Sequence, residues 1–414
     1  MFSYKNNKLY CENVPLEKIA AQAGTPAFVY SKNRIIENLD KYEKAFSSVP
    51  HVLCYAVKAN TNGAVCKTIF SRGAGADVTS GGELYRALKA SAKPEKIVFA
   101  GVGKTEEEIR YAIKSKILMF NAESAQEIAL IDKVAAREKT KARLAIRINP
   151  DVDAHTHEYI TTGTSENKFG VSHTRAVEIY SYAKKFRNLL VSGIHCHIGS
   201  QITAVKPFHL MALRMAELFR KLSKAGIHLD YIDIGGGLGI RYRDEITPEP
   251  AGLAEAVLPV FKSLGVKIIM EPGRYIVGGA GALVTKVIYE KIGSHKNFII
   301  ADAGFNDLIR PALYQAYHGI LPVTRGSRRG RKKVYDVVGP ICETGDFLGH
   351  KRLLPSGAAK QGSLLAVMSA GAYGLAMSSQ YNSRRRATEV MVDKNGWKIT
   401  RKRETYEDLI EKED

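Results

Sequence analysis

A lysine closes an apolar, β-rich run, where its amine could do covalent chemistry. The run is His51–Lys58, and it ends Tyr-Ala-Val-Lys. Partial desolvation of a lysine at the end of a buried strand favours the neutral amine, which can form a Schiff base with a carbonyl group. From this peptide alone, a lysine that extends into solvent is the simpler interpretation. The role of Lys58 therefore depends on its neighbours.

Two histidines fall near the end of another such run. His195 and His197 lie in the run Val191–Gly199, and alternation along a strand puts them on one face. Such a pair could bind zinc, but no carboxylate or third histidine lies at a suitable spacing, so we expect no metal. We expect His197, nearer the end, to stack on a flat ring. His195, one pleat deeper, should be a hydrogen-bonded core residue.

A glycine-rich peptide and a Glu-Pro-Gly-Arg peptide follow two further runs. Bare backbone N–H groups in Gly235–Gly239 could approach a phosphate closely, although a tight turn explains the glycines equally well. Glu271 could hydrogen-bond a pyridine nitrogen and keep it protonated, which makes the ring an electron sink. Arg274 could bind phosphate or carboxylate through two hydrogen bonds. An ion pair between Glu271 and Arg274 remains the alternative.

A cysteine stands beside two carboxylates in the turn-rich peptide Gly339–Asp346. Cys342 could donate a proton, and Glu343 could bind a substrate ammonium group. Most isolated cysteines are buried and inert, so the spacing alone does not establish either role.

The elements that carry these residues form a loose repeat. Apolar runs alternate with helix-period segments such as Thr105–Ser115, which opens with a capping Thr and three Glu, and Pro207–Ala225. The runs are His51–Lys58, Gly75–Val78, Lys96–Gly101, Ile117–Asn121, Ala142–Asn149, Val191–Gly199, Tyr231–Gly237 and Lys267–Gly273. Eight such units predict an α/β fold with a closed (β/α)₈ barrel of the TIM type, whose chemistry lies at the carboxyl ends of its strands. The first helix should precede strand one, because four apolar residues share a face: Ile35, Leu39, Tyr42 and Phe46.

A second, β-rich region follows the barrel. Its predicted strands are Ala282–Tyr289, Asn297–Ala301, Lys333–Val338, Ser363–Met368 and Thr388–Val392. A short strand-like piece, Pro26–Tyr30, precedes the first barrel helix. We therefore expect a barrel over residues 32–276 and an all-β domain, barrel-like or sandwich-like, built from residues 1–31 and 277–414.

Composition narrows the class of protein. The 414 residues are 45% hydrophobic and 25% charged, with a formal net charge of +19. No apolar stretch is long enough for a membrane span or a signal peptide, and the five scattered cysteines suit a cytoplasmic protein. The basic runs Arg325–Lys333, Arg384–Arg386 and Arg401–Arg403 lack interleaved aromatics, so we expect a solvated surface and no nucleic-acid interface.

Taken in order, these peptides resemble the alanine-racemase-like (fold type III) pyridoxal-phosphate decarboxylases, and among them the diaminopimelate decarboxylase family. The resemblance runs from about residue 25 to residue 380. It rests on Tyr55–Asn60, Gly75–Leu84, His195–Gln201, Gly235–Gly239, Glu271–Arg274, Asp302–Tyr314, Gly339–Gly345 and Ala372–Gly374. Each peptide is a modest signal, but eight in the same order are highly specific.

The resemblance implies pyridoxal 5'-phosphate as cofactor and gives the residues their roles. Lys58 would hold the cofactor as a Schiff base, His197 would stack on its ring, and Cys342 would complete the catalytic set. Other cofactor contacts would be Asp77, Ser200, Gly236, Gly237, Glu271, Gly273, Arg274 and Tyr373. Substrate contacts would be Arg274, Arg310, Tyr314, Glu343 and Tyr373.

The same resemblance implies a homodimer and a reaction. Cys342 and Glu343 would come from the partner of the chain that supplies Lys58, so that the active site is shared. The reaction would convert meso-2,6-diaminopimelate to L-lysine and CO₂, the last step of lysine biosynthesis. Decarboxylases of ornithine, arginine or carboxynorspermidine are the alternatives, followed by a non-catalytic cofactor-binding homologue. Arg310 favours a substrate with a distal carboxylate.

Overall fold

The computed structural model describes residues 2–153, 168–325 and 331–414. The chain forms two compact units. The first comprises Met1–Glu37, Arg241–Glu245 and Ile276–Asp414, and we call it the β-rich unit. The second comprises Asn38–Ile240 and Ile246–Tyr275, and we call it the barrel unit. No helix in the described ranges is long and apolar enough to cross a membrane.

The β-rich unit begins with a small antiparallel sheet that the sequence analysis did not predict. Its strands are β1 (Phe2–Lys5), β2 (Lys8–Cys11) and β3 (Val14–Pro15), followed by helix α1 (Leu16–Ala23) and strand β4 (Ala27–Ser31). Apolar residues of this region, including Leu9, Leu16 and Ile19, pack in one buried cluster with residues from later strands of the same unit.

The barrel unit contains the predicted closed barrel. Its eight parallel strands are β5 (His51–Ala56), β6 (Gly75–Val78), β7 (Ile97–Phe99), β8 (Met119–Ala122), β9 (Ala142–Asn149), β11 (Leu189–His195), β12 (Tyr231–Asp233) and β13 (Lys267–Met270). Each pairs with the next, and β13 pairs with β5 to close the ring. A two-residue strand, β10 (Val171–Ser172), adds to β9. The strand residues are buried almost throughout because helices cover the outer face of a parallel barrel.

The first of the barrel helices precedes the first barrel strand, and the others separate the strands, as predicted. They are α2 (Lys32–Phe46), α3 (Gly63–Phe70), α4 (Gly81–Lys89), α5 (Glu106–Lys114), α6 (Ala125–Arg137), α7 (Ala176–Ala183), α8 (Lys206–Lys224) and α9 (Pro250–Phe261). Thr105 and Glu108 form the expected capping box at the start of α5. The four residues predicted to share a face of α2 are all buried: Ile35, Leu39, Tyr42 and Phe46.

The remaining elements belong mainly to the β-rich unit. They are α10 (Arg274–Val277), β14 (Gly281–Ile292), β15 (Asn297–Ala301), α11 (Arg310–Tyr314), β16 (Ile320–Pro322), β17 (Lys332–Val338), β18 (Phe347–Pro355), β19 (Leu364–Val367), β20 (Thr388–Asp393), β21 (Gly396–Arg401) and α12 (Glu407–Ile410). The sheet order is β18-β17-β15-β14-β4-β20-β21, and β19 bridges β14 and β16. The early strand β4 thus lies between two late strands, antiparallel to β14 and parallel to β20.

The basic runs contribute to packing within the β-rich unit. Arg386 pairs with Glu404 at 3.2 Å, and Arg403 donates a hydrogen bond to the Pro26 carbonyl. The interpretation of these two runs as a solvated surface is therefore wrong for arginines that are half-buried and bonded to the protein. Residues 326–330, which belong to the run Arg325–Lys333, lie outside the described residues.

Candidate active site

Lys58 lies just beyond the first barrel strand. The strand ends at Ala56, two residues earlier than predicted, and Lys58 occupies a short 3₁₀ turn, Val57–Ala59. Its Nζ lies 2.8 Å from Oδ2 of Asp77, which is fully buried on β6. The lysine side chain itself keeps 39% of its surface exposed. The amine therefore contacts a buried carboxyl group while part of the lysine side chain stays exposed.

The carboxyl group of Asp77 titrates far from its ordinary range. Burial raises the pKa of Asp77 to about 7, and the nearby charge of Glu271 adds to this effect while Lys58 opposes it. Its second oxygen, Oδ1, has no hydrogen-bond partner among the described residues. Asp77 can thus change its protonation state near neutral pH beside the lysine amine.

Glu271 lies in a buried polar cluster formed by the ends of four barrel strands. Its Oε2 lies 3.4 Å from Nε2 of His195, and its Oε1 accepts a hydrogen bond of 3.1 Å from Nδ2 of Asn121. The same amide nitrogen donates to Asp233 at 3.2 Å. Asp233 in turn accepts from the N–H of Gly235 at 2.9 Å. Four side chains distant in sequence therefore converge beneath the barrel mouth.

The two carboxyl groups of this cluster titrate in opposite directions. Burial would raise the pKa of Glu271, but the adjacent His195, aided by Lys58, holds it below its usual range. Burial and the charge of Glu271 raise the pKa of Asp233 well above its ordinary value. Asp233 is therefore the more readily protonated of the two, and Glu271 favours its anion, which can pair with a protonated ring nitrogen.

The structure corrects the sequence-based reasoning about His195. Spacing along the chain suggested that no carboxylate lies near it, yet ligand atoms of His195, Asp233 and Glu271 lie within 4.8 Å of one another. The N–H group of Asn121 already donates to both carboxyl groups, which places a donor where a cation would bind. His195 is buried as expected, but neither ring nitrogen has a hydrogen-bond partner among the described residues, so the expectation of a hydrogen-bonded residue is wrong. Its Nε2 instead lies close to the carboxylate of Glu271.

His197 follows β11 and does not belong to it, because the strand ends at His195. Its Nδ1 accepts a hydrogen bond of 3.2 Å from the N–H of Gly236, so that nitrogen carries no proton. Burial lowers the pKa of His197 well below its ordinary value, and the cations Arg147 and Lys58 lower it further. The ring is therefore a neutral, flat surface suited to stacking.

The glycine-rich peptide is required by close backbone approaches. A Cβ atom on Gly236 would lie 2.3 Å from the carbonyl oxygen of Glu271. Gly237 has a φ of +108°, a conformation that side chains disfavour. Next to this peptide, Arg274 donates to the Ser200 hydroxyl at 2.9 Å and is buried. A Cβ atom on Gly273 would touch Ala56 and Ala59 at 3.0 Å, so this glycine lets the last strand pack against the turn that holds Lys58.

The other predicted residues lie in the β-rich unit. Arg310 begins α11 and is buried, with Nη1 2.9 Å from Nε2 of His318. Tyr314 ends the same helix and is half-buried. Tyr373 has a φ of +55°, an unusual conformation for an aromatic residue and one that is common at functional sites.

Cys342 and Glu343 lie on an exposed turn that a buried carboxylate organises. Asp346 accepts hydrogen bonds from the N–H groups of Ile341 at 2.8 Å and Phe305 at 2.6 Å. The Cys342 thiol is exposed, and Glu343 accepts a hydrogen bond of 3.1 Å from the Tyr381 hydroxyl. The turn thus presents a thiol and a carboxylate together on the surface of its unit.

Sequence reasoning missed three residues of these sites. Asn121 ends a predicted strand, so the rule that strand-end polar residues matter would have found it. Asp233 lies inside the longer predicted run Tyr231–Gly237, but the observed strand β12 ends at this residue, so the same rule applies to it. His318 lies between the peptides Asp302–Tyr314 and Gly339–Gly345, and no sequence pattern around it indicates a functional role.

Comparison with known proteins defines the class. The family model described as pyridoxal-dependent decarboxylase, pyridoxal binding domain, matches residues 32–278. The fold and this match define the chain as a pyridoxal-phosphate enzyme of this barrel class.

Relatives then narrow the assignment. Diaminopimelate decarboxylase of Aquifex aeolicus is 50% identical over 99% of this chain and 96% of the relative, and that of Vibrio cholerae is 48% identical over 99% and 97%. The crystal structure of the Helicobacter pylori enzyme complexed with L-lysine has a TM-score of 0.92 at 40% identity, covering 96% of this chain and 98% of that one. The chain belongs to the diaminopimelate decarboxylase family.

Proposed function

We propose that this chain decarboxylates meso-2,6-diaminopimelate to L-lysine and CO₂ at the D-configured centre, using pyridoxal 5'-phosphate, as the last step of lysine biosynthesis. The observation that carries the proposal is the buried cluster at the ends of the barrel strands, in which Glu271 lies 3.4 Å from His195 and accepts a hydrogen bond of 3.1 Å from Asn121. A decarboxylation leaves an electron pair on carbon, and a carboxylate that keeps a ring nitrogen protonated is what an electron-sink cofactor requires.

The residues present fit this cofactor. Lys58 offers an amine for its aldehyde, Glu271 an anion for its ring nitrogen and His197 a flat neutral surface for its ring. The backbone at Gly236 and Gly237 leaves no room for side chains, as a phosphate-binding loop requires. Ser200, Arg274 and Tyr373 complete the phosphate side in this proposal. When bound, the cofactor supplies an aldehyde and a conjugated ring that accepts the electrons released with CO₂.

The protein groups divide the remaining work. Asp77 holds the Lys58 amine and can exchange a proton with it near neutral pH. Asn121 and His195 keep Glu271 oriented and charged. After CO₂ departs, Cys342 or Lys58 delivers a proton to the substrate carbon.

Arg310 distinguishes the substrate in this proposal. With Arg274 and Tyr314 it binds the distal carboxylate of diaminopimelate, while Glu343 binds the distal ammonium group and Tyr373 touches the substrate. A buried guanidinium suits a carboxylate and not the distal amine of ornithine or the distal guanidinium of arginine, both of which are cations.

The proposal includes a homodimer with shared active sites, in which Cys342 and Glu343 act in the site that contains the partner's Lys58. Their position on an exposed turn supports this arrangement. We place the reaction in the cytoplasm, because none of the five cysteines, all in described parts of the chain, forms a disulfide.

Release of CO₂ from a panel of amino acids tests the function. The purified holoenzyme should act on meso-diaminopimelate and be at least about 10²-fold less active on ornithine, arginine and lysine, since each lacks part of the distal group. Arg310→Ala should raise KM for diaminopimelate about tenfold or more. Comparable activity on ornithine or arginine would contradict the assigned substrate.

A further inference from the structure

A histidine in the β-rich unit has both ring nitrogens bonded inside the protein. His318 is fully buried. Its Nδ1 lies 2.8 Å from the carbonyl oxygen of Met368, and its Nε2 lies 2.9 Å from Nη1 of Arg310. It follows α11 and lies two residues before β16, while Met368 directly follows β19, and β16 and β19 pair with each other.

The partners determine which nitrogen of His318 carries the proton. A carbonyl oxygen can only accept, and a guanidinium can only donate. Nδ1 therefore carries the hydrogen, and Nε2 presents its lone pair to Arg310. The imidazole is neutral in this arrangement, and its single acceptor is committed to the arginine.

A tyrosine defines the second side of the same guanidinium. The Arg310 guanidinium carbon lies 4.7 Å from the ring centroid of Tyr242. The Tyr242 ring meets the His318 ring edge-on, at 5.2 Å and 75°. The guanidinium thus lies over the ring of Tyr242 and has its Nη1 bonded to His318, and the two contacts together restrict its position.

We propose that His318 is a positioning residue that orients Arg310 toward the carboxylate that the substrate retains. The inference rests on the proposed function, in which Arg310 binds the distal carboxylate of diaminopimelate. That carboxylate does not react, and it remains as the carboxylate of L-lysine. A guanidinium that is already held in its binding orientation loses less conformational freedom when an anion binds. Holding Arg310 in this orientation therefore increases the affinity for the carboxylate.

The role of His318 should therefore appear in binding and not in the chemical step. Removing its acceptor should raise KM for diaminopimelate about tenfold, the magnitude of a hydrogen bond to a charged group, with kcat changed less than about threefold. Affinity for L-lysine should fall by the same factor. Affinity for cadaverine, which is lysine without its carboxylate, should not change.

Two substitutions separate the acceptor from the volume of the side chain. His318→Leu removes the acceptor, whereas His318→Gln can present an amide oxygen near the position of Nε2. Binding of L-lysine and cadaverine to each holoenzyme would be measured by titration, beside Arg310→Ala. We expect weak lysine binding for Arg310→Ala and His318→Leu, recovery in His318→Gln, and unchanged cadaverine binding in all three.

The outcomes distinguish the inference from the function on which it rests. If Arg310→Ala weakens lysine binding and His318→Leu does not, the positioning role is overturned while the proposed function stands. If Arg310→Ala itself leaves lysine binding unchanged, the assigned distal-carboxylate site is wrong. Equal losses for lysine and cadaverine, or equal losses in the Leu and Gln variants, would also overturn the positioning role.

Discussion

Two lysines of the barrel unit lie beside buried carboxyl groups, yet their surroundings differ. Lys104 is completely enclosed, and its Nζ donates to the carbonyls of Gly101 at 2.7 Å and Asn121 at 2.8 Å and to Glu127 at 2.6 Å. Lys58 lies 2.8 Å from Asp77 and keeps 39% of its side chain exposed. An ammonium group has three donors, and those of Lys104 all have partners.

The contrast indicates that a lysine amine is available for covalent chemistry only where its side chain is partly exposed. Lys104 connects the strand-end backbone at Asn121 to helix α6, and the side chain of Asn121 contacts Glu271. It therefore supports the active site through structure. Lys58 keeps part of its side chain exposed and lies beside a carboxyl group that titrates near neutral pH, which suits it to the role of cofactor lysine in the proposed function.

The largest effect should follow removal of the reactive amine. Lys58→Ala should lower kcat at least about 10³-fold and abolish the long-wavelength absorbance of bound cofactor, because no other group can replace the amine. Steady-state CO₂ release and absorbance spectra measure both. Retention of activity and absorbance in this variant would remove the distinction between the two lysines.

Replacement of the enclosed lysine should act on stability instead. Lys104→Met should lower the free energy of unfolding by about 3–5 kcal/mol, because it leaves Glu127 buried without its cation. The double variant Lys104→Met/Glu127→Met is the matched control and should recover much of the loss. Urea-induced unfolding measures the free energy of unfolding of the wild type, the single variant and the double variant. A large loss of activity at unchanged stability would place Lys104 in the chemistry.

A smaller effect concerns the carboxyl partner of Lys58. Because the pKa of Asp77 is raised to about 7 in the folded protein, the folded state holds a proton that the unfolded chain has lost, and stability falls as the pH rises from about 4 to about 7. Asp77→Asn should reduce this fall by on the order of 2 kcal/mol, since the neighbouring charges share the titration. The exposed Glu255→Gln should leave the fall unchanged. Parallel stability curves for Asp77→Asn and the wild type, measured on cofactor-free protein, would argue against the raised pKa.

The barrel was predictable because parallel strands covered on both faces are continuous apolar runs. Two of the strands missed by sequence analysis have mixed patterns: β18 contains His350, Lys351 and Arg352, and the partly exposed β21 alternates charged and apolar residues. Such segments form strands because neighbouring strands pair with them, and local propensity alone does not predict them.

The site was predictable where a residue stands at the end of a recognisable strand, as Lys58 and Glu271 do. It was not predictable where tertiary structure joins distant residues. Asn121 and Glu271 are 150 positions apart, and only barrel closure brings them to 3.1 Å. The link between Arg310 and His318 spans just 8 positions, but it depends on the turn after α11, whose geometry the sequence pattern does not reveal.

The central claim is that Lys58, and not the enclosed Lys104, holds the cofactor. Borohydride reduction of the holoenzyme converts a Schiff base to a stable amine, and peptide mass spectrometry then identifies the modified lysine. The cofactor mass should be found on the peptide that contains Lys58 and be absent from the Lys58→Ala variant. Modification of Lys104, or of any other lysine in place of Lys58, would contradict the account.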